Sequence, residues 1–168
     1  MNDLQKILVP FDFSARSTEA LRAAANMARK YGAVIHLLHV VDSLAAKSIM
    51  RIKAGNDIED SEDIRRQAYV NKRFDEAMVD LDLSEVTIER HFACGHPDIE
   101  ILRTATVDEF DLIVMGTHGH RGFEHLVYGS VAEKIVRSAS CPVLVVKAPH
   151  YKFRMPGKTR LIKKEDIQ

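Results

Sequence analysis

The sequence predicts an α/β domain: an open, mostly parallel sheet of five strands with helices on both faces. Three observations carry this. Short apolar runs alternate with stretches of helical period from Lys6 to Lys147, the pattern of a parallel sheet built from crossover units. Val34–Val41 is almost wholly apolar, as expected of a strand covered on both faces. Leu112-Ile113-Val114-Met115 runs straight into Gly116-Thr117-His118-Gly119, and after nine intervening residues Gly129-Ser130 opens another helical stretch.

Strand 1 is expected over Ile7–Phe11, with the chain leaving the sheet at Pro10, which cannot donate to a ladder. Asp12, Ser14 and Ser17 are candidate N-caps for helix 1. Leu21, Ala24, Ala28 and Tyr31 fall on one face of that helix, and Gly32 suits its end. Strand 2 spans Val34–Val41. A polar excursion covers 43–60 and is not assigned an element. Ser61 is expected to cap helix 2, whose first turn carries Glu62 and Asp63, the favourable sign for its dipole. Its apolar face is Phe74, Ala77, Met78 and Leu81. Strand 3 is expected over Val86–Phe92, alternating enough to lie at or near an edge. Pro97 fits the first turn of helix 3, which ends near Val107. Strand 4 precedes the glycine loop. Helix 4 starts at or just after Ser130, with Ala132, Ile135, Val136 and Ala139 on one face, and strand 5 is Val143–Val146.

Composition bounds the function classes. The 168 residues suit one domain. Basic and acidic residues both number 24, so no global field selects nucleic acid or an anionic membrane. No apolar run reaches a membrane span. The N-terminus lacks a basic-then-apolar signal pattern. Cys94 and Cys141 are far apart in sequence and read as reduced thiols of a cytoplasmic protein. The domain is expected to occupy 1–149. A tail over 150–168 follows, with six basic residues against two acidic ones and Pro156-Gly157 at its centre.

Ligands of such sheets bind beyond the carboxyl ends of the strands, near a topological switch point. Asp12, Val41 and Gly116 each follow or close a predicted strand. Three distant segments are therefore expected to meet at one crevice. The glycine loop suits a phosphate: glycines let backbone N–H groups approach the anion without a Cβ in the way. The first N–H groups of the following helix have no partner within it. Arg121, inside the loop, can neutralise phosphate charge.

The loop carries the spacing Gly-x2-Gly-x9-Gly-Ser/Thr, and with it the chain resembles the nucleotide-binding branch of the universal stress protein family. Ile7-Leu8-Val9-Pro10-Phe11-Asp12-Phe13-Ser14 looks like that family's first strand and Asp turn. Leu37-Leu38-His39-Val40-Val41-Asp42 looks like the end of its second strand, and Gly95-His96-Pro97 with Ile101 like the start of its third helix. Ser138-Ala139-Ser140-Cys141-Pro142 through Val146 looks like its last strand. The resemblance implies a Rossmann-like fold of the adenine nucleotide alpha hydrolase-like type. It implies that Gly116, Gly119, Gly129, Ser130 and Val131 hold ribose and phosphates, with His120 and Arg121 in the same loop. Pro10, Asp12, Val41 and Met115 would then flank the nucleoside, backbone atoms of Val41 reading the adenine edge. It further implies ATP, AMP or ADP as ligand, and a homodimer through strand 143–146.

Other motifs carry less. Gly157-Lys158-Thr159 lacks the first glycine of a P-loop and follows no strand. Gly116-x-x-Gly119-x-x-Gly122 follows the fourth strand and is not the dinucleotide fingerprint. Ser130 has no glycine two residues before or after it, so it forms no nucleophile elbow. His118, His120 and His125 match no zinc spacing. No protein-ligated metal is expected; Asp12 is the one carboxylate nominated for a Mg²⁺ carried on phosphates. Without a Walker-type lysine or an evident general base, slow hydrolysis or none is expected, and regulation rather than turnover. Two other readings share the fold class: a dimeric scaffold that binds no nucleotide, and an ATP-using enzyme of a related α/β class.

Overall fold

The computed structural model describes residues 4–42, 59–117 and 129–147. They form a five-stranded, all-parallel sheet with strand order β3-β2-β1-β4-β5. The elements are β1 (Lys6–Pro10), α1 (Ala15–Tyr31), β2 (Val34–Asp42), α2 (Glu59–Met78) and β3 (Ile88–Gly95). They continue as α3 (Pro97–Val107), β4 (Leu112–Gly116), α4 (Ser130–Ser138) and β5 (Val143–Val146). The unassigned excursion over 43–60 falls almost wholly outside the described residues, and so does the tail over 150–168.

The central strands are covered on both faces. Ile7, Leu8 and Val9 of β1 and Ile113 and Val114 of β4 have no exposed surface. Alternation along each strand sends successive side chains to opposite faces. One face buries Ile7, Val9, Ile35 and Leu37 against Leu21 and Ala24 of α1 and Phe74 of α2. The other buries Leu8, Leu38 and Ile113 against Ile101 of α3 and Ala132 and Ile135 of α4. Among the described residues, helices therefore lie on both faces, two to each.

Local chemistry explains the boundaries. Of three candidate caps for α1, Ser14 holds the position: its Oγ accepts the Ser17 N–H at 3.2 Å. Gly32 ends the helix at φ 71°, in the left-handed region, where a Cβ costs a residue about 1–2 kcal/mol. A Cβ added at Gly32 would meet nothing within 4 Å, so the cost of Gly32→Ala is conformational alone. A melting temperature lower by about 2–4 °C per kcal/mol is expected by calorimetry, and an unchanged value would refute the argument.

Several expectations are corrected. Tyr31 is 55% exposed and Val136 51%; each lies at the rim of its helix's apolar stripe rather than in it. β1 stops at Pro10, and Phe11 stays tied to the sheet through one bond from its N–H to the Leu38 carbonyl at 2.8 Å. α2 begins at Glu59, so Ser61 lies inside the helix rather than capping it, and Leu81 packs from the turn after Met78. β3 starts two residues later than expected and runs on to Gly95. The turn before it holds Glu85 at φ 61° and a bond from Val86 N–H to the Leu83 carbonyl. Its register then follows β2 through eight pairs, from Ile35↔Ile88 to Asp42↔Gly95. Among the described residues no helix is long and apolar enough to cross a membrane.

Candidate functional site

The order β3-β2-β1-β4-β5 puts the topological switch between β1 and β4, where the chain turns away to either side and leaves a crevice beyond the carboxyl ends. The β1 side is a tight turn. Asp12 Oδ1 accepts the Ser14 N–H at 3.1 Å, which brings Ser14 to its capping position. Between them Phe13 adopts φ 63°, costly for a residue with a Cβ. Rings hold it there. The centroids of Phe11, Phe74 and His39 lie 5.4, 5.3 and 4.6 Å from its own, and the Arg73 guanidinium sits 4.7 Å over its face.

His39 ties β2 to this turn. Its Nδ1 lies 2.8 Å from the Phe11 carbonyl oxygen; a carbonyl can only accept, so Nδ1 carries the proton and the ring presents its lone pair at Nε2. Burial holds His39 below its ordinary pKa, against the opposing influence of the Phe11 carbonyl and the Asp12 carboxylate. The ring is thus neutral at pH 7. Val41 stands two residues further along β2, half-buried, paired with Cys94 of β3.

The β4 side is built by close backbone approach. A Cβ on Gly116 would lie 3.0 Å from the backbone carbonyl of Arg16, at the start of α1. A side chain at 116 would press on Arg16, which would have to give by a few tenths of an ångström, so glycine eases the approach of β4 to α1 at the switch point. Thr117, buried, donates its N–H to the Val146 carbonyl at 3.3 Å and accepts the Gly129 N–H at 2.7 Å. That second bond seats the amino terminus of α4 beside the end of β4. Gly129 is the N-cap, at φ −66° and ψ 151°, and supplies no capping side chain. Any residue adopts this conformation, so the backbone geometry does not require a glycine here. A glycine here puts no side chain of its own over the first N–H groups of α4, whose dipole favours an anion.

Of the residues nominated from sequence, the structure brings Pro10, Asp12, Val41, Met115, Gly116, Gly129, Ser130 and Val131 to this one end of the sheet. Met115 and Val131 place their side chains in or against the core of the α3 and α4 face, so each can offer a ligand little beyond its backbone. Gly119, His120 and Arg121 lie outside the described residues, as do His118 and His125. Phe13, His39 and Thr117 were not foreseen as parts of the site. Thr117 was visible inside the glycine loop. The strained turn at Phe13 has no signature in residue type, and His39 required the strand register.

Residues 3–147 match the model of the universal stress protein family. The chain is 35% identical to universal stress protein MJ0531 of Methanocaldococcus jannaschii, over 88% of this chain and 85% of that protein. The structure of MJ0577, another universal stress protein of that organism, matches with a TM-score of 0.72 at 26% identity, over 89% of this chain and 99% of that one. A universal stress protein solved in complex with cAMP matches in fold with a TM-score of 0.59 at 20% identity, over 87% and 98%. The matched stretch contains the described sheet with the helices on its two faces and the switch-point crevice, and the chain belongs to the universal stress protein family.

Proposed function

We propose that the switch-point crevice binds an adenine nucleotide, ATP in particular, and that the protein is a nucleotide-responsive regulatory or protective module of the stress response. The observation that supports this most is the bond from Gly129 N–H to the Thr117 carbonyl. It sets the uncapped start of α4 beside the ends of β1 and β4, where phosphates find backbone donors. In this reading Gly119, His120 and Arg121 complete the loop around the phosphates with Ser130, and Pro10, Val41 and Met115 flank the nucleoside. Asp12 would meet a Mg²⁺ carried on the phosphates, although its Oδ1 already accepts the Ser14 N–H. A universal stress protein of the same fold was solved in complex with cAMP, which supports the reading. We further propose a two-fold dimer through β5.

Mass spectrometry of ligand released from the denatured, purified protein, followed by calorimetry, tests the reading. ATP is expected to bind with a Kd of about 1 μM, roughly 8 kcal/mol, and to be recovered largely intact. Failure of ATP, ADP and AMP to bind at millimolar concentration would leave the scaffold reading. Rapid turnover would leave the enzyme reading.

A further inference from the structure

We propose that His36, Glu89 and His91 form a site for a zinc-type divalent cation at the β2–β3 edge of the sheet, remote from the nucleotide crevice. His36 lies near the start of β2, whereas the crevice lies beyond the strand's other end. The register sets His36 opposite Glu89, and Glu89 and His91 are two apart on β3. A period of two puts all three on one face.

The distances fit a metal. His36 Nδ1 lies 2.9 Å from His91 Nε2 and 3.4 Å from Glu89 Oε2, and His91 Nε2 lies 3.9 Å from the same oxygen. A point equidistant from these three atoms is about 2.0 Å from each, the length of Zn–N and Zn–O bonds. Two imidazoles and one carboxylate form the donor set of open zinc sites, which keep a fourth position for water. Mg²⁺ and Ca²⁺ prefer oxygen donors and suit this set poorly.

The simpler account of the cluster is an N–H···N hydrogen bond between two neutral rings. Their planes are within 18° of each other and their centroids 5.1 Å apart. That bond needs only the histidines and gives no part to Glu89, whose carboxylate stands against both. Metal entry displaces the bridging hydrogen to the far nitrogen of its ring, a change of tautomer without net proton release. The rings then tilt so that both lone pairs meet the ion. His36 can anchor the site, since its side chain is only 14% exposed and the Phe110 ring abuts it edge-on at 4.8 Å. His91 and Glu89 are 41% and 55% exposed and leave the site open to solvent.

Zinc titration of the chelator-treated full chain by calorimetry tests the proposal, with the absorption of bound Co²⁺ as a report on geometry. One ion per chain is expected, with Co²⁺ bands of tetrahedral strength. His91→Gln and Glu89→Gln should each weaken binding at least tenfold, taking as a floor the roughly 10–100-fold that loss of a supporting residue costs a metal site. Both positions are exposed enough for the variants to fold, which melting curves verify. His118→Gln/His120→Gln/His125→Gln should bind as the wild type does. Wild-type affinity in both the His91 and Glu89 variants, or loss of the ion in the triple variant alone, overturns the site. So does an absence of zinc binding in the wild type.

Discussion

Gly129→Asp is expected to weaken ATP binding at least 100-fold, about 2.7 kcal/mol, while the melting temperature stays level or rises slightly. The two readouts separate because of where Gly129 sits. Its φ of −66° and ψ of 151° suit any residue, and aspartate is a better N-cap than glycine by a few tenths of a kcal/mol. The new carboxylate would accept the N–H of Val131 or Ala132, the donors an incoming phosphate needs, and would repel the phosphate directly. Gly129→Asn makes the same cap without the charge, so its loss should be smaller. Calorimetry with ATP on all three proteins decides the matter. Affinity within threefold of wild type in Gly129→Asp, with the fold intact, would place the phosphates somewhere other than the start of α4.

The fold was legible because its signals are local and periodic. The apolar runs of β1, β2 and β4 are long relative to their noise, and Gly32, Pro97 and Ser14 mark helix ends by chemistry that acts within a few residues. The misjudged boundaries share a different cause. Tyr31 and Val136 lie at the edge of an apolar stripe, where a rotation of a few tens of degrees decides between core and solvent, and the sequence sets only the period. β3 runs on to Gly95 because β2 offers it partners as far as Asp42, a tertiary fact. The site divides along the same line. That strand ends converge follows from topology, so Asp12, Val41 and Gly116 could be assembled in advance. The tight packing at Gly116 could not: the contact a Cβ would crowd comes from Arg16, a hundred residues earlier in the chain. The left-handed Phe13 escaped for a similar reason, since its strain is held by Phe74 and His39 from two other elements.

Val145→Pro is expected to turn the proposed dimer into a monomer without unfolding the sheet. β5 pairs with β4 along one side, and among the described residues nothing pairs with its other side. It presents Val143-Leu144-Val145-Val146, with Leu144 38% exposed, and an apolar strand with an open edge tends to recruit another. The carbonyls of Pro142 and Val146 both accept N–H groups from the β4 side, those of Ile113 and Thr117. Successive backbone groups of a strand point to opposite edges, so Leu144 also bonds toward β4 while Val143 and Val145 turn their N–H groups outward. Proline at 145 would remove an outward donor and leave the internal ladder whole, a position where edge strands tolerate it. Across a two-fold axis the loss counts twice. Sedimentation at micromolar concentration should give twice the 19.0 kDa chain mass for wild type and the single chain for the variant, with similar melting temperatures. A monomeric wild type, or a variant that still dimerises, would show that β5 does not join two copies of this chain.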